Sequence, residues 1–174
     1  MRRVGLGLVA TFRFLARFEL MSTIRTSFAS LCLITKIDDT GPPKWLTQWN
    51  SKWHAYSLLG GHLECDETYF ACCEREASEE LKCETRRVVV VSAPIAIIHF
   101  REFSRSASEL TDYIWHVFDV HVDDSVLSKL PENCEWLTLQ QICAGVTDDG
   151  RPISGQVKRV FSTITRSHVE RFHH

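Results

Sequence analysis

The sequence predicts an α/β domain, and three observations predict it. First, residues 66–83 follow shortly after a Gly60-Gly61 pair, show no alternation, and carry Phe70, Cys73, Ala77 and Leu81 at helical spacing. Second, β-rich segments flank that helix on both sides. Third, an amphipathic helix closes the chain, with Ile153, Val157, Val160, Phe161 and Ile164 on one stripe. A length of 174 residues with 44% hydrophobic content suits one domain with a true core.

The elements follow in order. Residues 1–26 are set apart as an N-terminal extension, and residues 27–174 form the domain. Residues 1–20 hold Arg2, Arg3, Arg13 and Arg17 against a single acid, Glu19. That composition fits a targeting segment, an accessory segment, or a chain whose translation starts at Met21. Residues 27–37 read as the first core strand, and 38–43 (Asp-Asp-Thr-Gly-Pro-Pro) as a turn. Trp45, Trp49 and Trp53 recur every four residues, yet Asn50-Ser51-Lys52 has turn chemistry. Two strands joined by a hairpin, leading into the glycine pair, are therefore expected, with the tryptophans packing and not stacking on a base. Residues 88–91 and 94–100 read as buried strand, 101–110 as a polar loop, and 111–122 as a further strand. Residues 132–142 form a short strand leading into a helix, and 153–172 the closing helix, with Lys158, Arg159 and Arg166 as its solvated face.

Composition excludes several functions. The net charge is −2 and no basic stripe appears, so nucleic-acid binding is not expected. No run of 18 apolar residues exists, so no membrane span is expected. Seven cysteines occur at 32, 65, 72, 73, 83, 134 and 143 without a C-x-x-C pair, which argues against a zinc ribbon or a thioredoxin-like site. They read as free thiols of a reducing compartment, hence a cytoplasmic location. Cys72 and Cys73 are neighbours, so only one of them is expected to face the core. His54 and His62 lack a second histidine at metal spacing and read as structural.

The chemistry concentrates between Gly61 and Cys83. Gly61, Glu67, Arg75-Glu76 and Glu79-Glu80 form the pattern Gly-x5-Glu-x7-Arg-Glu-x-x-Glu-Glu. At roughly 6% usage per residue type, a random chain of this length meets six such identities about once in a hundred thousand, so accident is a poor explanation. On a helix, Glu76, Glu79 and Glu80 stand at i, i+3 and i+4 and share one face beside the apolar stripe. Asp66 is placed to cap the helix, and acids in its first turn suit the positive end. Each like-charge pair at this spacing costs about 0.2–0.5 kcal/mol. Arg75 can reach Glu79, and no other Lys or Arg on the face neutralises Glu76 or Glu80. A hard cation removes that repulsion, and Mg²⁺ accepts a few carboxylates completed by waters and substrate phosphates. The competing reading is a solvated acidic face on an amphipathic helix. The glycine pair, which permits close backbone approach, and the separate Glu67 favour the site.

The segment from Gly61 to Cys83 resembles the Nudix box, Gly-x5-Glu-x7-Arg-Glu-U-x-Glu-Glu-x-Gly-U, where U is a bulky aliphatic residue. All six charged and glycine positions named above match; Ala77 and Cys83 occupy the U positions, and Lys82 replaces the second glycine. That glycine ends the family's helix in a left-handed conformation, so Lys82 is expected to strain the end of the helix or change it. The resemblance implies an α/β/α sandwich with a mixed β-sheet between helices. It implies a metal-dependent hydrolase of a nucleoside diphosphate linked to another moiety, with Mg²⁺ (or Mn²⁺ in its place) as cofactor and a nucleoside triphosphate as the default substrate. By position it makes Glu79 and Glu80 the chief metal ligands and Glu76 a further ligand or the general base. Arg75 would hold Glu67 and orient the carboxylates, and the Gly60 carbonyl would be an extra ligand. A further metal-binding acid from outside the box is sought in Glu132, Glu135 or Asp124. A homodimer is compatible with the resemblance, and a catalytically silent nucleotide sensor on the same fold is the alternative function.

Overall fold

The structure of the protein, a computed structural model, describes residues 24–104 and 106–171, with side chains to residue 165. The expectations for residues 1–20 lie outside the described residues. Strand β1 (Arg25–Leu33) opens the described part. It is followed by β2 (Thr35–Lys36), β3 (Lys44–Asn50), β4 (Ala55–Ser57) and β5 (Leu59–His62). Helix α1 (Tyr69–Glu80) comes next, then a 3-10 turn (Thr85–Arg87), β6 (Val88–Val90), β7 (Ala96–Ser104) and β8 (Glu109–Val122). A short helix α2 (Asp124–Leu127), β9 (Cys134–Thr138), α3 (Leu139–Ala144) and α4 (Gly155–Arg171) complete it.

The main sheet has the order β5-β1-β8-β6, with β7 also paired to β8. Strands β1 and β8 run parallel and the other pairs antiparallel, so the sheet is mixed, as expected. Side-chain alternation divides the interior in two. On one face Cys32, Ile34, Phe118 and Val120 pack under Cys73, Ala77 and Leu81 of α1. On the other, Leu31, Leu33, Ile98 and Val117 pack under Val157, Val160 and Phe161 of α4. A second sheet, β2-β3-β4 with β9 on β3, was not foreseen. It contains the expected hairpin, Gln48 opposite Ser57 and Asn50 opposite Ala55. Trp45 meets Phe161 edge-on at 4.8 Å and Trp49 meets Tyr56 at 5.3 Å, which are packing roles.

Several expectations are corrected. Helix α1 starts three residues later than expected. Thr68, not Asp66, is the cap: its hydroxyl accepts the Ala71 N–H at 3.1 Å, while Asp66 turns the chain at φ 62°. No acid lies in the first turn. Cys72 and Cys73 are both fully buried. Cys73 meets Cys32 inside the core, Sγ to Sγ 3.4 Å, whereas Cys72 sits below Gly61 and donates to its carbonyl at 3.5 Å. Burial pushes the Cys72 thiol up to about 11, so it stays neutral and packs as a small hydrophobe. Residues 101–110 are mostly strand. The Arg101–Asp112 pair, Nε to Oδ1 2.6 Å, gives these polar residues a cross-strand partner in the β7–β8 hairpin. Residues 94–100 are not buried strand. Strand β7 pairs only with β8, and Ile97 is 51% exposed while its neighbour Ile98 is buried. On α4, Arg159 is not merely solvated: it binds Glu102 at 3.0 Å and lies 3.9 Å over the Phe100 ring. The side chain of Arg166 lies outside the described residues.

Lys82 takes the left-handed conformation itself, at φ 53°. The Cys83 N–H reaches the Ser78 carbonyl at 3.0 Å and the Lys82 N–H reaches Glu79 at 3.2 Å, which is a Schellman termination. The helix end is thus kept, with a side chain where glycine is free of strain. Lys82→Gly is expected to stabilise the fold by about 1 kcal/mol, read as a higher midpoint in urea with unchanged slope.

Candidate active site

The glycine pair brings β5 against both of its neighbours. A Cβ on Gly60, at φ 132°, would lie 2.2 Å from the Ser30 carbonyl oxygen of β1. A Cβ on Gly61 would lie 2.2 Å from Glu76 Oε1. Gly60 therefore lets β5 seat on β1. Gly61 leaves the space in which the Glu76 carboxylate rests.

Arg75 organises the acids around that point. Its Nε donates to Glu67 Oε1 at 2.8 Å and its Nη2 to Glu67 Oε2 at 3.0 Å, a bidentate pair. Nη1 donates to Glu76 Oε1 at 2.8 Å and stands 3.5 Å from Glu79 Oε2, and Nη2 also reaches the His62 carbonyl. The expected pairing of Arg75 with Glu79 is present, and the expectation that no cation neutralises Glu76 is corrected. The guanidinium folds toward β5, where Glu67 and the His62 carbonyl fix it, and Glu76 lies on that path. Arg75 holds the Glu67 carboxyl down at about 2, helped by the Glu64 N–H.

Glu80 is the opposite case. Its Oε2 accepts the Gly60 N–H at 2.9 Å, and among the described residues it has no ion pair. Burial pushes its carboxyl up to about 7, with Glu76 and Glu79 adding to the shift and the Gly60 N–H opposing it. Gln48 on β3 donates to the Glu80 backbone carbonyl at 3.4 Å and approaches Cys134, contacts that no motif in the sequence announces. Glu79 is the outermost of the three, 62% exposed at its side chain. It also lines a hollow of about 470 Å³ that runs along α1 past Glu67, Arg75 and Ser78. His62 closes β5; burial holds its imidazole below the usual range, Arg25 and Lys52 act in the same direction, and Glu76 opposes them.

The structure brings Glu67, Arg75, Glu76, Glu79, Glu80 and the Gly60–Gly61 backbone together. Of the acids sought outside the box, Glu132 lies just before β9 and Glu135 within it, opposite Thr47 of β3. Glu135 acts instead on Tyr56 and Arg151, and Asp124 begins α2. Among the described residues no group of three or more His, Cys, Asp or Glu side chains is arranged to hold a metal ion by itself. The donor set nevertheless suits a hard cation: a half-buried carboxylate without a cation partner among the described residues stands beside two more, and such an ion takes its remaining ligands from water and phosphate.

Comparison with known proteins agrees with this geometry. The family model for the NUDIX domain matches residues 29–161. The MutT protein of Methanosarcina mazei superposes with a TM-score of 0.56 at 17% identity, over 84% of this chain and 97% of that one. NrtR of Shewanella oneidensis gives 0.57 at 10%, over 83% and 63%, and the Ap4A hydrolase of C. elegans 0.50 at 18%, over 68% and 85%. Comparison with curated protein sequences gives no match. The chain belongs to the Nudix family and has the fold of its hydrolases.

Two expected outcomes follow from the site. Gly60→Ala places a methyl against backbone and lowers stability by several kcal/mol, on the order of 3, in chemical denaturation. Gly61→Ala meets only the tip of a flexible side chain, so it is expected to fold normally, with a denaturation midpoint close to wild type. A second outcome concerns pH in the metal-free protein. Glu80 ionises near 4.5 unfolded and near 7 folded, so the native state holds the extra proton in between and stability falls as pH rises through that window. Glu67 has the other sign: its contribution is present above 4.5 and is lost as pH falls toward 2. Melting curves in EDTA from pH 4.5 to 7 should therefore slope downward for wild type relative to Glu80→Gln; parallel curves would refute the burial of this carboxyl.

Proposed function

We propose that the protein hydrolyses the pyrophosphate bond of a nucleoside diphosphate linked to another moiety, with Mg²⁺ or Mn²⁺ as cofactor and a nucleoside triphosphate as default substrate. One observation carries the proposal: Arg75 and Glu67 lock one side of an acidic cluster against the Gly60–Gly61 backbone, while Glu80 beside them has no cation partner among the described residues. Bound there, a divalent ion would supply positive charge where the phosphates carry negative charge, and would acidify a water.

Each residue has a role in this proposal. Glu79 and Glu80 hold the ion together with the Gly60 carbonyl. Glu76 is a further ligand or takes the proton from the attacking water. Arg75, itself held by Glu67, sets the Glu76 carboxylate in place; it is a positioning residue. Positive Arg25 and Lys52 are close enough to act on His62, and their charge would favour the arrival of a polyphosphate. The substrate is a small molecule, and the seven free thiols fit a reducing compartment such as the cytoplasm. Among the described residues no helix is long and apolar enough to cross a membrane.

The test is phosphate and pyrophosphate release from nucleoside triphosphates, dinucleoside polyphosphates and nucleotide sugars, with Mg²⁺ and with EDTA. Turnover should need the metal and fall at least about 100-fold in Glu79→Gln. Tight Mg²⁺-dependent binding of a nucleotide without turnover of any compound would refute hydrolysis and make the protein a sensor.

A further inference from the structure

Glu80 is the acid on which the proposed metal site turns, and among the described residues no cation holds it. Arg75 fixes Glu67 and Glu76, whereas Glu80 stands near two like charges with neutral donors as its partners. Its carboxylate accepts the Gly60 N–H at 2.9 Å, and its backbone carbonyl accepts Gln48 Nε2 at 3.4 Å. Two donors from one stretch of chain, β3 through β5, therefore grip a single residue at both ends.

The end of α1 gives the second grip its weight. A helix leaves its last carbonyls without partners inside the helix. The Leu81, Cys83 and Lys82 N–H groups bond to the carbonyls of Ala77, Ser78 and Glu79. The Glu80 carbonyl is the one this turn does not reach, and among the described residues its hydrogen bond comes from Gln48. Gln48 lies on β3 in the second sheet, opposite Ser57 of β4 and Cys134 of β9. It is half-buried, and its Nε2 stands 3.9 Å from Cys134 Sγ. Burial pushes the Cys134 thiol up, the Gln48 contact opposes the shift and the Glu80 charge adds to it, so the three groups lie together. An amide suits this place. It donates to a carbonyl and carries no charge, so the Glu80 carboxylate stays available to a cation. A lysine or arginine there would supply a donor and also occupy the acid.

We infer that Gln48 is a positioning residue for Glu80: by holding the backbone carbonyl at the end of α1, it sets the carboxylate where the Gly60 N–H meets it. The second sheet thereby has a task at the acidic cluster, delivered through one side chain. Gln48 acts through the Glu80 backbone and is not itself a ligand. The inference rests on the metal reading above, but the Gly60 amide reports the position of Glu80 with no metal present. The competing role is purely structural: Gln48 satisfies a carbonyl, and loosening β3 in any other way does the same harm. Thr47 provides the comparison. It is the neighbouring residue on β3, fully buried, and its hydroxyl donates to the Glu135 carbonyl of β9 at 3.0 Å.

Gln48→Met keeps the length of the side chain and removes the donor, while Thr47→Val removes a cross-strand bond from the same strand and leaves the Glu80 contacts in place. The Gly60 amide is followed by NMR in metal-free wild type, in both variants and in Glu80→Ala, which marks its position without the carboxylate. Gln48→Met is expected to move the Gly60 amide proton toward its Glu80→Ala position and to speed its exchange at least about tenfold. Thr47→Val should leave it at the wild-type position. Mn²⁺ alone is then titrated, with the free ion read by its EPR signal. Its affinity should fall about tenfold in Gln48→Met and stay within about twofold of wild type in Thr47→Val. Gln48→Asn, too short for the contact, provides the reading if the methionine variant folds poorly. A Gly60 amide unmoved in Gln48→Met, or moved equally in Thr47→Val, would overturn the inference. So would a Mn²⁺ affinity that falls equally in both variants. Failure of hydrolysis alone would leave both differences intact without turnover. A wild type that binds no Mn²⁺ would remove the metal reading, and the Gly60 amide would still decide whether Gln48 positions Glu80.

Discussion

The close approach of β5 to its two neighbours is the constraint on which the rest of the site depends. One glycine lets the strand lie against the β1 backbone, and the next leaves room for a carboxylate from α1. Because the helix is bound to the same sheet by Cys73, Ala77 and Leu81, this contact fixes how far the acidic face can stand from the strand. A side chain at either glycine would separate elements that the chemistry needs in contact.

Electrostatics then divides the cluster into a settled half and an unsettled half. Glu67 and Glu76 share one guanidinium, and the Glu67 carboxyl titrates far below its usual range as a result. Glu80 receives a single backbone N–H and sits near two like charges. A structural role alone would favour pairing every acid, since an unpaired buried carboxylate opposes folding. Keeping one acid without a counter-ion makes sense where a cation arrives with the substrate.

The mixed sheet gives the two sides of the domain different tasks. The α1 side is packed with thiols, aliphatic residues and the Phe70 and Phe118 rings, and the helix carries the acids. The α4 side is rich in aromatic rings, with Trp45, Trp49, Phe100 and Trp115 around its core. The edge strand β5 is where the two sides meet, and it carries the glycine pair.

Much of this was legible in the sequence, wherever the determining physics is local. The α/β class followed from periodicity, and the shared face of Glu76, Glu79 and Glu80 followed from the helical repeat, which needs no knowledge of distant residues. At position 82 the resemblance left a strained left-handed end or a changed one open, and the structure keeps the left-handed end. The helix start was not, since Thr68 and Asp66 both suit a cap and the turn at 66 decides between them. The strands over 101–110 were hidden because their polar residues find partners only across the hairpin. Arg75 bonds to Glu67 and stands by Glu79 as expected, but its reach to Glu76, the half-buried Glu80 without a cation partner among the described residues, the approach of Gln48 from β3 and the unpaired Ser27 and Gln156 were not legible. All of these depend on which distant segments the sheet places side by side, so tertiary structure alone decided them. The sequence by itself determined which charges ride together on one helix; the packing of strands around that helix determined which of them are neutralised and which remain open to a ligand.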